Sequence, residues 1–143
     1  MTNLKQLHDR DFNLWIEKTK EAIQNRDFAN MDWDNLLDEI DDMGKSEKRA
    51  LDSYMQRLIE HILKLKYWDA EVERCGRGWQ QEVVNFRNRI NRILKKNPSL
   101  KNYLKSEYCD IYQDAIATMS FDFEIPEDDM VEVEQIMQSD YFG

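Results

Sequence analysis

Only four glycines and two prolines punctuate the 143 residues. An all-β fold needs a turn about every 8–12 residues, so this scarcity excludes a sandwich or barrel and leaves long, uninterrupted elements. Cysteine is as scarce. Cys75 and Cys109 are too few for a disulfide scaffold and cannot form a zinc site by themselves. They read as free thiols of a reducing cytoplasm. No stretch approaches the ~18 consecutive apolar residues of a membrane span, so no membrane partner is expected. The opening Met1-Thr2-Asn3-Leu4-Lys5 carries no apolar run of the secretory type. Strand-like alternation is missing as well.

What is present is helical amphipathicity on a globular composition, 41% hydrophobic with four Trp, six Tyr and six Phe. The length suits one domain over residues 1–143, since domains run to about 100–200 residues. A first helix is predicted from Asp9 or Asp11, either a good N-cap, to about Gln24 or Arg26. Phe12, Ile16, Thr19 and Ile23 lie on its core face, widened by Trp15 and Ala22. A second, short helix opens at Asp32 with Trp33, Leu36, Leu37 and Ile40 on one side, and Met43-Gly44 is its expected stop. Ser46 opens the third, where Leu51, Met55, Leu58, Ile62 and Leu65 step alternately by four and three up to about Tyr67-Trp68. Arg74-Cys75-Gly76-Arg77-Gly78 is an expected loop, after which Trp79, Val83, Phe86, Ile90 and Ile93 carry a fourth helix. Asn97-Pro98-Ser99 forms a boundary, and Leu100, Leu104, Tyr108, Ile111 and Ala115 define a fifth helix. Pro126 begins a short last helix through Met130, Val133 and Met137. The predicted fold is all-α, an up-and-down helical bundle of about four main helices plus short accessory ones.

Charge is segmented. Residues 31–44 hold six acids (Asp32, Asp34, Asp38, Glu39, Asp41, Asp42) and no base; residues 45–100 hold thirteen bases against seven acids; residues 121–143 hold eight acids and no base. Acidic ends around a basic middle suggest that one end folds onto that middle or competes for it.

Three stretches together resemble one known family. They are Asp11-Phe12-Asn13-Leu14-Trp15, Leu37-Asp38-Glu39-Ile40 leading into Met43-Gly44-Lys45-Ser46-Glu47-Lys48-Arg49-Ala50-Leu51, and His61-Ile62-Leu63-Lys64-Leu65-Lys66-Tyr67. With Trp79 and Asn97-Pro98-Ser99-Leu100, they are similar to the domain-of-unknown-function 29 family, mainly cyanobacterial, over nearly the whole chain. Asp128-Asp129-Met130 stands where that family tends to have a Pro-aromatic pair. The resemblance implies a helical bundle and assigns no catalytic residue and no cofactor.

Candidate chemistry is sparse. A bundle could bring Glu39, Asp42 and His61 to one divalent metal. A di-iron bundle, however, needs Glu three residues before His, and Leu58 holds that place; neither His8 nor a His-Glu-x-x-His helix supplies a metal set. The plainer reading of His61 is a core-edge ring held by a carboxylate or carbonyl. Cys75, between Arg74 and Gly76, is better read as a loop cysteine than as a nucleophile, since neither histidine is near it in sequence. Gly76 and Gly78, with Arg74 and Arg77, would suit an anion at a helix N-terminus, although a turn needs the same glycines. Arg87, Arg89, Arg92, Lys95 and Lys96 make the fourth helix basic, yet at a sequence pI near 4.7 nucleic acid is an improbable partner. Phe121, Phe123, Met130, Ile136, Met137, Tyr141 and Phe142, set among tail carboxylates, suit an acidic-apolar strap, favoured to pack on its own bundle. The expectation is a cytoplasmic, non-catalytic protein-interaction or regulatory module with a protein partner and no cofactor. The competing expectation is a metal-dependent enzyme built on Glu39, Asp42 and His61.

Overall fold

The computed structural model describes residues 3–143, and among them every regular element is helical. In chain order these are α1 (Leu4–Arg10), α2 (Phe12–Gln24), a 3-10 turn (Phe28–Asn30), α3 (Trp33–Tyr67), α4 (Asp69–Lys96), α5 (Leu100–Met119) and α6 (Val133–Ile136). None is long and apolar enough to cross a membrane. The fold is an all-α bundle, as the periodicity predicts.

Helix starts follow cap chemistry. The Asn3 side chain accepts from the Gln6 amide at 2.9 Å, and Asp11 accepts from the Leu14 amide at 3.1 Å. Each satisfies one of the amides that a helix N-terminus leaves without a partner. Ahead of α3, Asp32 Oδ1 accepts from the Asn35 amide at 3.4 Å.

Two expected breaks do not exist. α3 runs through Met43-Gly44 and Ser46 without a stop, so the predicted second and third helices are one of 35 residues. A mid-helix glycine costs only about 1 kcal/mol relative to Ala, and the Asp41–Lys45 ion pair at 2.9 Å bridges it. The predicted loop at 74–78 lies inside α4; the real break is at Trp68. Gly76 is buried, and a methyl there would sit 3.5 Å from Val72 Cγ1 and 3.9 Å from Leu65 Cδ2. Both are ordinary contact distances, so Gly76 is a tolerated position on the inner face of α4 and makes no turn. The last helix shrinks to the single turn of α6.

The chain divides into two compact units, Met1–Ser46 and Glu47–Gly143, with α3 contributing to both. The second encloses the main core. Leu51, Met55, Leu58 and Ile62 of α3, Val83 and Ile90 of α4, and Tyr112 and Ala115 of α5 are completely buried, and the tail closes over them with Val131 and Ile136. The heptad-spaced residues named from sequence supply much of this core. The first unit has a small interior, Trp15, Met31, Thr19 and Asp32. The predicted core face of α2 is turned: Trp15 and Thr19 point inward, while Phe12, Ile16 and Ile23 are exposed. On the inward side, the Trp15 indole N–H donates to Asp32 Oδ2 at 3.1 Å.

Candidate functional site

Of the three residues singled out for a metal, Glu39 and His61 have hydrogen-bond partners of their own. Glu39 Oε1 lies 2.8 Å from Nε2 of His8, the histidine that sequence spacing had set aside. Nδ1 of the same ring lies 3.1 Å from Asp9 Oδ1. These hydrogen bonds, Glu39's first and then Asp9's, raise the His8 pKa above its ordinary value and favour the ring that donates from both nitrogens. The ring stands edge-on to Trp15 and Phe12. His61 donates from Nδ1 to the Arg57 carbonyl at 2.7 Å and packs on Phe86, and burial lowers its pKa. Asp42 is exposed on α3. Among the described residues, no group of three or more His, Cys, Asp or Glu side chains could hold a metal ion.

The anion candidate loses its geometry with the loop. Gly76 and Gly78 lie within α4, several residues past its N-terminus, where the first turn carries Asp69 and Glu71. Arg74 pairs with Glu71 at 2.6 Å, and the Cys75 thiol faces the same carboxylate at 3.8 Å. Arg77 is exposed. Of the basic residues on α4, Arg89 donates to the Tyr54 hydroxyl at 3.2 Å, and Arg92, Lys95 and Lys96 are exposed.

Arg87 is the exception: it is buried and serves the tail. Its Nε donates to the Ile136 carbonyl at 2.8 Å, Nη1 to Ser139 at 3.4 Å and Nη2 to the Tyr141 carbonyl, with Phe142 against the guanidinium plane. One planar fork thus gathers three carbonyls next to the single turn of α6. Asp129 anchors the strap's other end. Its Oδ1 accepts from Lys66 Nζ at 2.7 Å and from the Tyr67 hydroxyl at 2.5 Å, and Oδ2 accepts from Tyr112 at 2.5 Å. Burial works to raise this carboxyl's pKa, but the Lys66, Tyr112 and Tyr67 hydrogen bonds prevail and hold it below the usual carboxylate value. The Tyr108 hydroxyl also holds the strap, donating to the Val131 carbonyl at 2.5 Å. The strap therefore packs on its own helices through Val131, Ile136, Phe123, Met137, Tyr141 and Phe142, whereas Phe121 and Met130 stay exposed. Sequence could suggest this docking but not its means, since Asp129 and Arg87 look like two more surface charges.

The sequence matches the family described as Domain of unknown function DUF29 over residues 7–142. The chain belongs to that family. No curated protein and no solved structure shows a match. Membership in DUF29 assigns no reaction, so the functional reading rests on surface chemistry.

That surface is uneven. Of the eleven large apolar side chains exposed among the described residues, eight belong to the first unit: Phe12, Ile16, Ile23, Phe28, Trp33, Leu37, Ile40 and Met43. On α3, Trp33, Leu37 and Ile40 step by four and then three, the spacing of adjacent positions on one helix face. Their exposures are 54%, 68% and 54%, with Met43 at 65%. Sequence predicts Trp33, Leu37 and Ile40 as one apolar face, and Met43 as part of a stop, because periodicity marks a face without saying what covers it. A cleft of about 540 Å³ in the same unit, lined by Leu4, Leu7, Leu14 and Ala22 together with polar groups, adds to its apolar surface.

Proposed function

We propose that this chain is a non-catalytic protein-interaction module whose docking surface is the apolar stripe Trp33, Leu37 and Ile40 with Met43. The observation that supports it is the concentration of exposed large apolar side chains in the first unit, against a second unit that buries its own heptad residues. Soluble monomers rarely leave broad contiguous apolar patches bare, and such patches mark interaction sites. Trp and Met suit the role, the first as a large rigid anchor and the second as an adaptable one. The competing metal-dependent reading has less support, since Glu39 pairs with His8 and no group of three potential ligand side chains gathers among the described residues. The free thiols Cys75 and Cys109 fit a cytoplasmic setting.

A photo-crosslinker placed at position 37 tests this in extract of the source cells. The expected result is a discrete protein adduct, lost in the background of Ile40→Ser and absent when the crosslinker is moved to exposed position 105. These substitutions should leave stability within about 0.5 kcal/mol, as surface changes usually do. Equal labelling from positions 37 and 105, with no discrete adduct, would overturn the reading.

A further inference from the structure

The stripe on α3 does not stand in neutral surroundings. Asp34, Asp38 and Asp41 are exposed along one flank of the stripe Trp33, Leu37 and Ile40, Asp42 is exposed on the opposite face of α3, and residues 31–44 contain no lysine or arginine. Lys45 closes the segment and pairs with Asp41. The surface is an apolar stripe edged by carboxylates. Its spacing of four and three is that of a helix expecting another helix alongside.

We infer that the occupant of this stripe is a basic amphipathic helix of a partner protein, with apolar residues at helical spacing and Lys or Arg along the side that meets the carboxylates. The inference deepens the interaction reading above and rests on it. Charge decides among the occupants. A second copy meeting the stripe with its own would set acid against acid. The most basic helix this chain could offer in trans is α4, but Val83, Phe86 and Ile90 of that helix are buried in their own unit, so it has cations to present and no free apolar seam. The chain's acidic-apolar tail carries the wrong sign and is held by Arg87, Lys66 and Tyr112. A basic helix from another protein satisfies both halves of the surface. Its apolar face would cover Leu37 and Ile40 while its cations meet Asp34, Asp38 and Asp41 along one flank, with steering that weakens as salt rises.

The experiment titrates the full chain against two synthetic amphipathic helices of about 20 residues, long enough to hold helical structure. The peptides share one leucine stripe and carry either all-lysine or all-glutamate polar faces. The lysine peptide is expected to bind, with affinity falling steeply with salt, and the glutamate peptide not to bind. Leu37→Ser with Ile40→Ser should weaken the lysine peptide by about tenfold or more, since each apolar side chain contributes about 1.5–3 kcal/mol on burial and 1.4 kcal/mol is tenfold. Asp34→Asn, Asp38→Asn and Asp41→Asn together should weaken it and flatten the salt dependence. Equal binding of the two peptides, or binding of the lysine peptide that ignores Leu37 and Ile40, overturns the inference. So does a concentration-dependent dimer in sedimentation that Leu37→Ser abolishes, because the occupant would then be a second copy. Peptide failure combined with a discrete adduct from position 37 sinks the partner chemistry alone; failure of both experiments removes the interaction reading as well.

Discussion

Asp129 has few routes to accommodate change. Its side chain is 5% exposed, and it accepts from one ammonium and two phenols. Removing one member of a buried charged pair costs about 3–5 kcal/mol, because the other charge is left without compensation. Asp129→Ala is therefore expected to destabilise the second unit by about that amount, read by urea unfolding; a loss under about 1 kcal/mol would show the cluster to be solvated. The pH dependence has a definite sign on each side. The carboxyl's pKa is depressed in the folded chain, so its contribution is complete above the ordinary carboxylate value of 3.8 and is lost as pH falls through the lower folded value. On the alkaline side, burial and the Asp52 hydrogen bond push Tyr103 up to about 12, while burial, and for Tyr112 the Asp129 hydrogen bond, raise Tyr108 and Tyr112 further. A raised folded pKa gives stability that is complete below the ordinary tyrosine value of 10.0 and declines as pH rises through the folded value. Unfolding free energy should accordingly fall from about pH 10 upward. The acid limb should be shallower in Asp129→Ala than in the wild type.

At the scale of elements, the glycines separate a continuous helix from a broken one. A methyl at Gly44 would meet nothing within 4 Å, and the residue lies inside α3. Gly44→Ala should stabilise the chain by about 1 kcal/mol from helix propensity alone. A loss would instead identify Gly44 as a left-handed cap ending a shorter helix, the reading that sequence prefers. Thermal unfolding distinguishes the two. This residue also illustrates what was legible beforehand. Helix identity and the core of the second unit could be read because Leu51, Leu58, Val83, Ile90 and Leu104 obey a period that only a helix gives. Cap chemistry at Asp11 and the boundary at Pro98 were equally local. Gly44 and Gly76 misled because glycine has several uses. A tolerated position inside a helix, exposed at Gly44 and buried at Gly76, leaves the same letter in the sequence as a stop. α1 was missed although Asn3, Leu4 and Leu7 carried a cap and a spacing; seven residues are too few for periodicity to declare itself. The candidate site was legible as composition, acids mixed with apolar residues at 31–44, but its exposure was not, because a pattern of buried-type residues does not name the cover. His8 and Glu39 are 31 residues apart, and no local rule joins them.

For the molecule as a whole, the contrast between the units bears on dynamics. Buried apolar side chains each contribute about 1.5–3 kcal/mol relative to exposure, and among the described residues the second unit buries seventeen such residues where the first buries Trp15 and Met31. Regions with few buried contacts open at lower free energy than the global transition. Native-state hydrogen exchange is therefore expected to find α1, α2 and the 33–46 stretch of α3 opening well below the free energy needed for 51–65, 83–93 and 104–115. The sharpest reading lies along α3 itself, where one unbroken hydrogen-bond ladder should show weak protection before residue 46 and strong protection after 51. A ligand that binds only the closed first unit adds RT ln(1 + [L]/Kd) to its stability. Saturation with the lysine-faced helix should thus slow exchange in α2 and at 33–46 while leaving α5 unchanged. Uniform protection along α3 in the free chain would mean that the small core of Trp15 and Met31 is coupled to the larger one, and the apolar stripe would then belong to a rigid surface rather than to an element that a partner completes.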